Sequence, residues 1–530
     1  MASGTPVSDA RHDDAIYQRR WAILATLCLG LILVVAANSS LNVAFPKIQE
    51  ALGSSPSQLQ WMVDAYSLVF AVLLLPAGAL ADRFGRKTAL QAGLAIFGLA
   101  SLLATFSSDN GQLIALRGLM GVGSACIMPG TLSILTNVFH DPVERQRAIA
   151  IWAGCAGLGG TIGPVVSGVL LEGFEWQSVF FINVVLAVIA VAVGAKLLPN
   201  SSDPREAVLD PVGVFLAILG VGSLLYGIIE GPANGWLSPV TVLTILGGIV
   251  VVGAFVAWEL HTDEPMLDMH LFGNRAFTLG STTIMLQYFA MFGLFFAMAQ
   301  YLQISHGYSA LQAGLAGIPV GVMGMIASPL SAPLVRRFGH RFVVGSGLLI
   351  SAAGMALMIG ASPTTTFALL FVGFCLLGWG NGQATAPSTT LIMASVPRSK
   401  SGVGSSVNDL SRQIGGALGI AVLGSVMASV YRDSIAHDVG SPALAARAGT
   451  TIDATLVAAQ HSTGLDAAAL HHGAQLSFAH GFGMAMLVGA IVLAVNAGLV
   501  WVRGLDIDPD GDPTIHRTVP PGAAEPEPRP

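Results

Sequence analysis

The chain has 530 residues, of which 53% are hydrophobic and 10% charged, with a mean hydropathy of +0.70. Soluble domains carry about 25% charged residues, so this composition excludes an ordinary water-soluble domain and points to the membrane. The net charge of −6 excludes nothing, because in membrane proteins the placement of charge outweighs its sum.

Residues 1–17 are polar and read as a disordered segment. Apolar runs long enough to cross a hydrocarbon core then recur along the chain. Six lie at about 21–41, 58–80, 88–107, 112–135, 147–171 and 178–198, in a segment set at 18–200. A polar linker opens the segment 201–262, which holds two further spans at 211–230 and 238–259. The segment 263–503 holds six more, at 276–302, 311–335, 342–360, 366–391, 402–430 and 478–502. Within it, 431–477 is Ala-rich, carries His437, His461, His471 and His472, and reads as a solvated outer loop with some helix. Residues 504–530, rich in Pro, Asp and Gly, read as a disordered tail. The expectation is an all-α membrane protein of fourteen transmembrane helices.

The basic residues fix the expected orientation. Of the 24 Lys and Arg, all but five fall on one side once the spans are threaded. Lys47, Arg432 and Arg447 fall on the other, and Arg117 and Arg412 lie within spans. The positive-inside rule then places both termini in the cytoplasm. Arg19 and Arg20 precede a run long enough to span, which reads as an uncleaved first helix rather than a signal peptide. Cys28, Cys126, Cys155 and Cys375 lie inside apolar runs, with no metal or disulfide spacing.

Between spans 2 and 3 stands Gly78-Ala-Leu-Ala-Asp82-Arg83-Phe-Gly85-Arg86-Lys87. Its charges require a membrane-surface position. A second copy, Ser331-Ala-Pro-Leu-Val-Arg336-Arg337-Phe338-Gly339-His340-Arg341, lies 254 residues on. Arg20 and Arg275, Pro142 and Pro397, and Gly163 and Gly419 repeat at offsets of 255, 255 and 256. The chain therefore reads as two six-helix halves with spans 7 and 8 inserted between them, a plan that puts a substrate site at the midplane between the halves.

Four further stretches carry distinctive residues inside the membrane. Asp64, in Trp61-Met-Val-Asp64-Ala-Tyr66 of span 2, and Arg117, in Leu116-Arg117-Gly118 of span 4, lie at similar depth and suggest an ion pair serving as a proton switch. Span 5 reads Gly159-Gly160-Thr161-Ile162-Gly163-Pro164-Val-Val-Ser167-Gly168, a Gly/Pro run that allows close helix approach and bending. Span 13 carries Asp409 and Arg412, three apart on one face and expected to pair. Asn42, Trp61, Tyr66, Gln287, Tyr288 and Asn381 are expected to join them in lining a substrate cavity.

These motifs resemble those of the major facilitator superfamily, specifically its fourteen-helix drug:proton antiporter branch. The resemblance covers roughly 21–503. It implies that Gly78, Asp82, Arg83, Gly85, Arg86 and Lys87 form a conformational-switch loop latching the halves on the cytoplasmic side, that Asp64 and Arg117 couple proton movement, and that Gly159, Gly163, Pro164 and Gly168 form the antiporter motif. The chain departs from the family pattern at Ala37, where an Asp usually stands, and at Ala150 and Ser167 in span 5. Ala37 removes a site for cations and favours neutral or amphiphilic substrates. The implied function is proton-driven export of hydrophobic drugs or antibiotics from a bacterium, by a monomer without cofactor, metal or nucleic-acid partner and without enzymatic activity. Dedicated export of a self-made antibiotic is the alternative, and a non-transporting membrane sensor the third reading.

Overall fold

The computed structural model describes residues 16–54, 56–199, 210–262, 265, 267–397, 400–449 and 452–504. Most of the polar N-terminal segment, most of the linker after span 6 and the Pro-rich tail thus lie outside the described residues. Among the described residues every regular element is a helix, and thirteen helices are long and apolar enough to cross a membrane. They are α1 (Arg20–Leu52), α2 (Pro56–Phe84), α3 (Arg86–Ala104), α4 (Asn110–Val138), α5 (Pro142–Gly173), α6 (Ser178–Leu197), α7 (Pro211–Asn234) and α8 (Pro239–His261), followed by α9 (Arg275–His306), α10 (Ile318–Ala356), α11 (Phe367–Ala394), α12 (Ser401–Asp438) and α13 (Gly464–Arg503). Helix α10 is broken at Gly339, where φ is 78° and ψ is 161°. It is therefore two crossings joined at one residue, and the fourteen crossings expected from hydropathy are all present.

The break at Gly339 has a counterpart at Gly85, where α2 ends and α3 begins, with φ at 107° and ψ at 125°. Both glycines sit in the repeated basic motif, and both adopt backbone angles that a Cβ makes costly. Each lets the chain reverse within one residue, which holds the charged side chains at the membrane surface. Elsewhere polar caps set where helices begin. Asp109, Asp141, Asp210, Ser238 and Asn274 each accept backbone N–H groups at the starts of α4, α5, α7, α8 and α9, satisfying donors that hydrocarbon cannot.

Apolar side chains gather into two large buried clusters. One is drawn almost wholly from 23–198, and the other from 279–500. A smaller third cluster lies between them and joins Leu75 of α2, Ala217 of α7, Phe255 of α8, Tyr288 of α9, Ile392 of α11 and Val407 of α12. The inserted pair α7–α8 thus packs against the seam between the two large clusters. Trp61 of α2 lies against Tyr226 of α7, and Trp236 donates to Ser425 Oγ of α12 at 2.8 Å.

The stretch 431–477 is more ordered than a solvated loop. Helix α12 runs on to Asp438 because Tyr431, Ile435 and Val439 continue its apolar stripe into the second cluster. A helix at Ile452–Gln460 and the first turns of α13 complete the segment, and Tyr431 Oη bonds Thr455 Oγ1 at 2.7 Å.

Within each cluster helices approach through glycine. A Cβ built on Gly123 of α4 would stand 2.7 Å from the carbonyl oxygen of Gly93 in α3, and Gly347 of α10 faces Gly380 of α11 in the same way. Such contacts let backbones meet where no hydrophobic effect drives helices together. Gly123→Ala is expected to force α3 and α4 apart and to destabilise the protein by about 1–3 kcal/mol, read as a lowered Tm in detergent, while Gly253→Ala, at a position with open space around it, leaves Tm unchanged.

Candidate functional site

The chemistry-bearing residues form three groups, one at the end of the bundle that carries the Gly85 and Gly339 turns, one inside the first cluster and one in the seam.

At the basic end, Asp82 closes the structure. Its carboxylate is 2% exposed and accepts from Arg86 Nε at 2.8 Å. It also accepts the backbone N–H groups of Gly402, at 2.9 Å, and Val403, at 3.3 Å. These are the unsatisfied amides of the first turn of α12, so Asp82 of α2 caps a helix 320 residues away in sequence. The helix dipole and the charge-assisted bonds both favour the anion there. Approach is close enough for this because α2 and α12 cross at Gly78 and Gly402. A Cβ on Gly402 would stand 2.7 Å from both Gly78 O and Asp82 Oδ2.

Serines extend the contact. Ser406 Oγ donates to Leu74 O at 2.6 Å, Ser133 Oγ of α4 meets Ser401 Oγ at 2.7 Å, and Asn137 Nδ2 reaches Ser401 Oγ at 3.1 Å. Arg83 lies over the ring of Phe84, and Lys87 Nζ donates to Ala195 O at the end of α6. Lys87 therefore ties the turn to α6. A neighbouring fork, Arg20 Nε and Nη2 onto the two carboxylate oxygens of Glu144 at 2.9 Å each, ties α1 to α5 at the same end. Sequence reading singled out neither Glu144 nor the serines.

Deeper in the first cluster, Arg117 is fully buried. The suggested Asp64–Arg117 pair is not formed in this structure. Nε of Arg117 donates to Met62 O at 2.8 Å, Nη2 donates to Asn38 Oδ1 at 3.2 Å, and the guanidinium lies 4.4 Å from the ring centre of Tyr66. The reason is angular. Met62 and Tyr66 are four apart and share the face of α2 that meets α4. Asp64, two residues from each, lies about 200° round the helix at roughly 100° per residue. Equal depth in the membrane does not bring two side chains to the same side of a helix. Asp64 is buried and stands nearer the face of Trp61, which meets α7. The side chain of Asn42 lies outside the described residues.

Gly159 and Gly163 of α5 face α1. A Cβ at Gly159 would stand 3.1 Å from Val35 Cβ, and one at Gly163 would stand 3.0 Å from Ala36 Cα. Gly154 and Gly157 face α10, where Met325 and Gly321 approach them, and Pro164 packs beside Gly314. Gly168 is buried. Helix α5 is therefore held between the two large clusters by glycines on two of its faces.

The third polar group sits where the clusters meet. Arg412 and Asp409 of α12 are both buried, with Arg412 Nε 3.9 Å from Asp409 Oδ1. Asp409 Oδ1 also accepts from Asn408 Nδ2 at 3.3 Å, while Thr389 Oγ1 of α11 links Asn408 and Arg412. The guanidinium carbon lies 5.1 Å from the ring centre of Trp152 in α5 and 5.0 Å from that of Tyr288 in α9. Trp152 is wholly buried and its indole N–H donates to Thr131 Oγ1 of α4 at 3.1 Å. Trp152 escaped the sequence reading, since an apolar ring in an apolar run carries no signal of its partner. Gln287 donates to Ser351 Oγ at 3.1 Å, and Asn381 accepts from Thr385 at 3.1 Å. Both belong to the interior of the second cluster and neither reaches Arg412. Among the described residues no cluster of His, Cys, Asp and Glu has a metal-binding arrangement.

Comparison with known proteins adds to this geometry. A family model described as Major Facilitator Superfamily matches residues 27–420. The multidrug efflux pump LfrA of Mycolicibacterium smegmatis is 33% identical over 485 residues, covering 91% of this chain and 96% of that protein. The methyl viologen resistance protein SmvA of Salmonella typhimurium is 34% identical over 425 residues, covering 80% and 85%. Among solved structures, the proton:xylose symporter XylE superposes with a TM-score of 0.61 at 12% identity, covering 92% of this chain and 96% of that one. This last likeness speaks to the fold.

Replacing Asp82 by Ala removes the carboxylate that Arg86 Nε meets in a buried site and uncaps α12, at a cost of about 3–5 kcal/mol to the closed arrangement. In a chain otherwise free of cysteine, Ser133→Cys with Ser401→Cys is expected to form a disulfide readily. Adding Asp82→Asn is expected to slow that cross-link at least tenfold, about 1.4 kcal/mol or more. An unchanged rate counts against Asp82 as the closing contact.

Proposed function

The chain belongs to the Major Facilitator Superfamily, and on that premise we propose that it is a secondary active exporter of hydrophobic or amphiphilic drugs, driven by inward movement of protons across a bacterial plasma membrane. The observation that carries this reading is the Asp82 contact. A carboxylate seated on the first turn of a helix in the other cluster has two discrete states, made and broken, as a gate requires. The efflux role in the name of LfrA supports the outward direction and the drug class of substrate.

The asymmetry of Lys and Arg supports a cytoplasmic position for the termini and the Asp82 contact. This arrangement is then the one closed toward the cytoplasm. We take 18–200 and 263–503 as the two moving bodies, each with its own apolar cluster, and 201–262 as a pair of helices laid on their seam. The protein works as a monomer, since substrate and protons pass between halves of one chain.

Asp64 is our proton-binding residue. It is a buried acid near the end of α2 that faces the outside, so it can load a proton while the cytoplasmic side is shut. Arg117, fixed by Met62 and Asn38 in this state, reaches Asp64 only if α2 and α4 shift in the other. Driving force is sufficient: one charge crossing 150 mV yields about 3.5 kcal/mol, roughly two and a half decades of gradient.

The test is efflux of lipophilic dyes and antibiotics from cells expressing the wild type or Asp64→Asn, with and without a protonophore. Wild-type efflux is expected to fall with protonophore, and Asp64→Asn to match that reduced level without it. Efflux by Asp64→Asn that still needs the proton gradient moves the coupling site elsewhere. An absence of efflux for every compound defeats the exporter reading.

A further inference from the structure

The polar group at Arg412 has features that a purely structural ion pair does not require. Its guanidinium lies over two aromatic faces, one from each side of the seam, Trp152 of α5 and Tyr288 of α9. It is only 4% exposed, yet its Nε has no hydrogen-bond partner, and its contact to Thr389 is long at 3.4 Å. Asp409 is close enough to neutralise it but not to bond it, and the Oδ2 atom of Asp409 is likewise without a partner. A guanidinium carries five donors in one plane, and leaving such a donor unmet in a dry interior is costly. An incoming oxygen acceptor recovers that cost, and a flat ring attached to it finds aromatic surfaces already in place.

We propose that Arg412 is the charge-selecting residue of the substrate path. On the exporter reading, on which this inference rests, it receives an acceptor oxygen of a planar aromatic substrate, such as a ring carbonyl, phenolate or carboxylate. Trp152 and Tyr288 take the ring. The same guanidinium opposes a permanently cationic substrate, which brings no acceptor for its unmet donor and meets its charge across a medium of low dielectric. Asp409, 3.9 Å from Arg412 Nε, offsets part of this charge without meeting the open donor. Ala37 in α1 is buried and uncharged, so that position adds no negative charge to draw a cation in.

The location suits a coupling contact as well as a selective one. Trp152 belongs to the first large apolar cluster, whereas Arg412 and Tyr288 come from helices of the other side. A ligand seated among them touches both bodies and is released when the seam parts. Trp152 is itself held by Thr131, so its ring presents a fixed face rather than an adaptable one.

Three ligands on one tricyclic skeleton separate charge from shape: acridone, an acridine carboxylate and N-methylacridinium. Their binding to the purified full-length protein in lipid nanodiscs is read from ligand fluorescence. The wild type is expected to bind acridone and the carboxylate at least tenfold more tightly than the cation. Arg412→Gln is expected to weaken the carboxylate by about tenfold or more, the worth of a hydrogen bond to a charged group, and to leave the cation unchanged or tighter. Arg412→Lys keeps the charge but not the planar fork, so it is expected to retain the carboxylate's advantage over the cation. Trp152→Phe is expected to weaken all three ligands together.

A wild type that prefers N-methylacridinium overturns the proposal and makes Asp409 the receptor. Equal weakening of all three ligands in Arg412→Gln overturns it too, since loss of packing alone would do that. Rescue by Lys separates a folding defect from a loss of charge. Efflux of acridines by the wild type with an order of preference that Arg412→Gln does not alter defeats this inference while leaving the exporter reading intact. An absence of both binding and efflux defeats both.

Discussion

A carboxylate capping the first-turn amides of a helix holds the two large clusters together at one end. Water is scarce there, so the first-turn N–H groups of α12 need an acceptor and the buried charge of Asp82 needs donors. Each answers the other, and Arg86 completes the balance. The arrangement depends on Gly78 and Gly402, because only at a crossing without side chains can a short Asp reach the backbone of the neighbouring helix. The glycines of the basic motif thus have separate tasks. Gly78 permits the crossing, and Gly85 turns the chain so that Arg86 returns toward Asp82.

The same constraint organises the interior. Each deeply placed charge is met by something other than water: Arg117 by a carbonyl, an amide and a ring, and Arg412 by an acid and two rings. Aromatic faces are well suited to this task in a membrane. They offer a cation partial negative charge without adding a group that itself demands hydrogen bonds. Tyr66 and Trp152 are accordingly buried, and each fixes its polar atom elsewhere, Tyr66 on Ser124 and Trp152 on Thr131.

How much of this was legible beforehand depends on the range of the interaction. The crossings were, because hydrophobic length and the alternation of basic loops are local properties. The break at Gly339 was marked by the basic motif around it, even though hydrogen bonding continues on both sides. The packed segment after Tyr431 was not, since its Ala-rich composition hides a stripe that matters only when a neighbouring helix is present to cover it. Asp82 and Arg86 were legible as members of one charged loop, but neither their pairing nor the acceptor role of Asp82 toward Gly402, 320 residues away, was. Asp64 and Arg117 show the limit most clearly. Sequence gives depth along a helix well and gives the facing of one helix toward another poorly, and an ion pair needs both.

A gate in a membrane protein has to be stable enough to shut and weak enough to open. A deep ion pair alone serves badly, because separating its members leaves two unmet charges in hydrocarbon. As the gate we propose, the Asp82 contact avoids this by its position. It lies at a helix end beside Arg83, Arg86 and Lys87, where the surface is near. When α12 withdraws, Asp82 still keeps Arg86, one turn away on the adjoining helix start, and the freed amides of α12 meet water. What is lost at Asp82 is two backbone hydrogen bonds and a helix-end interaction, each modest on its own. Closure by a shared helix cap rather than by a bridging salt bridge thus lets the two bodies part without stranding a charge.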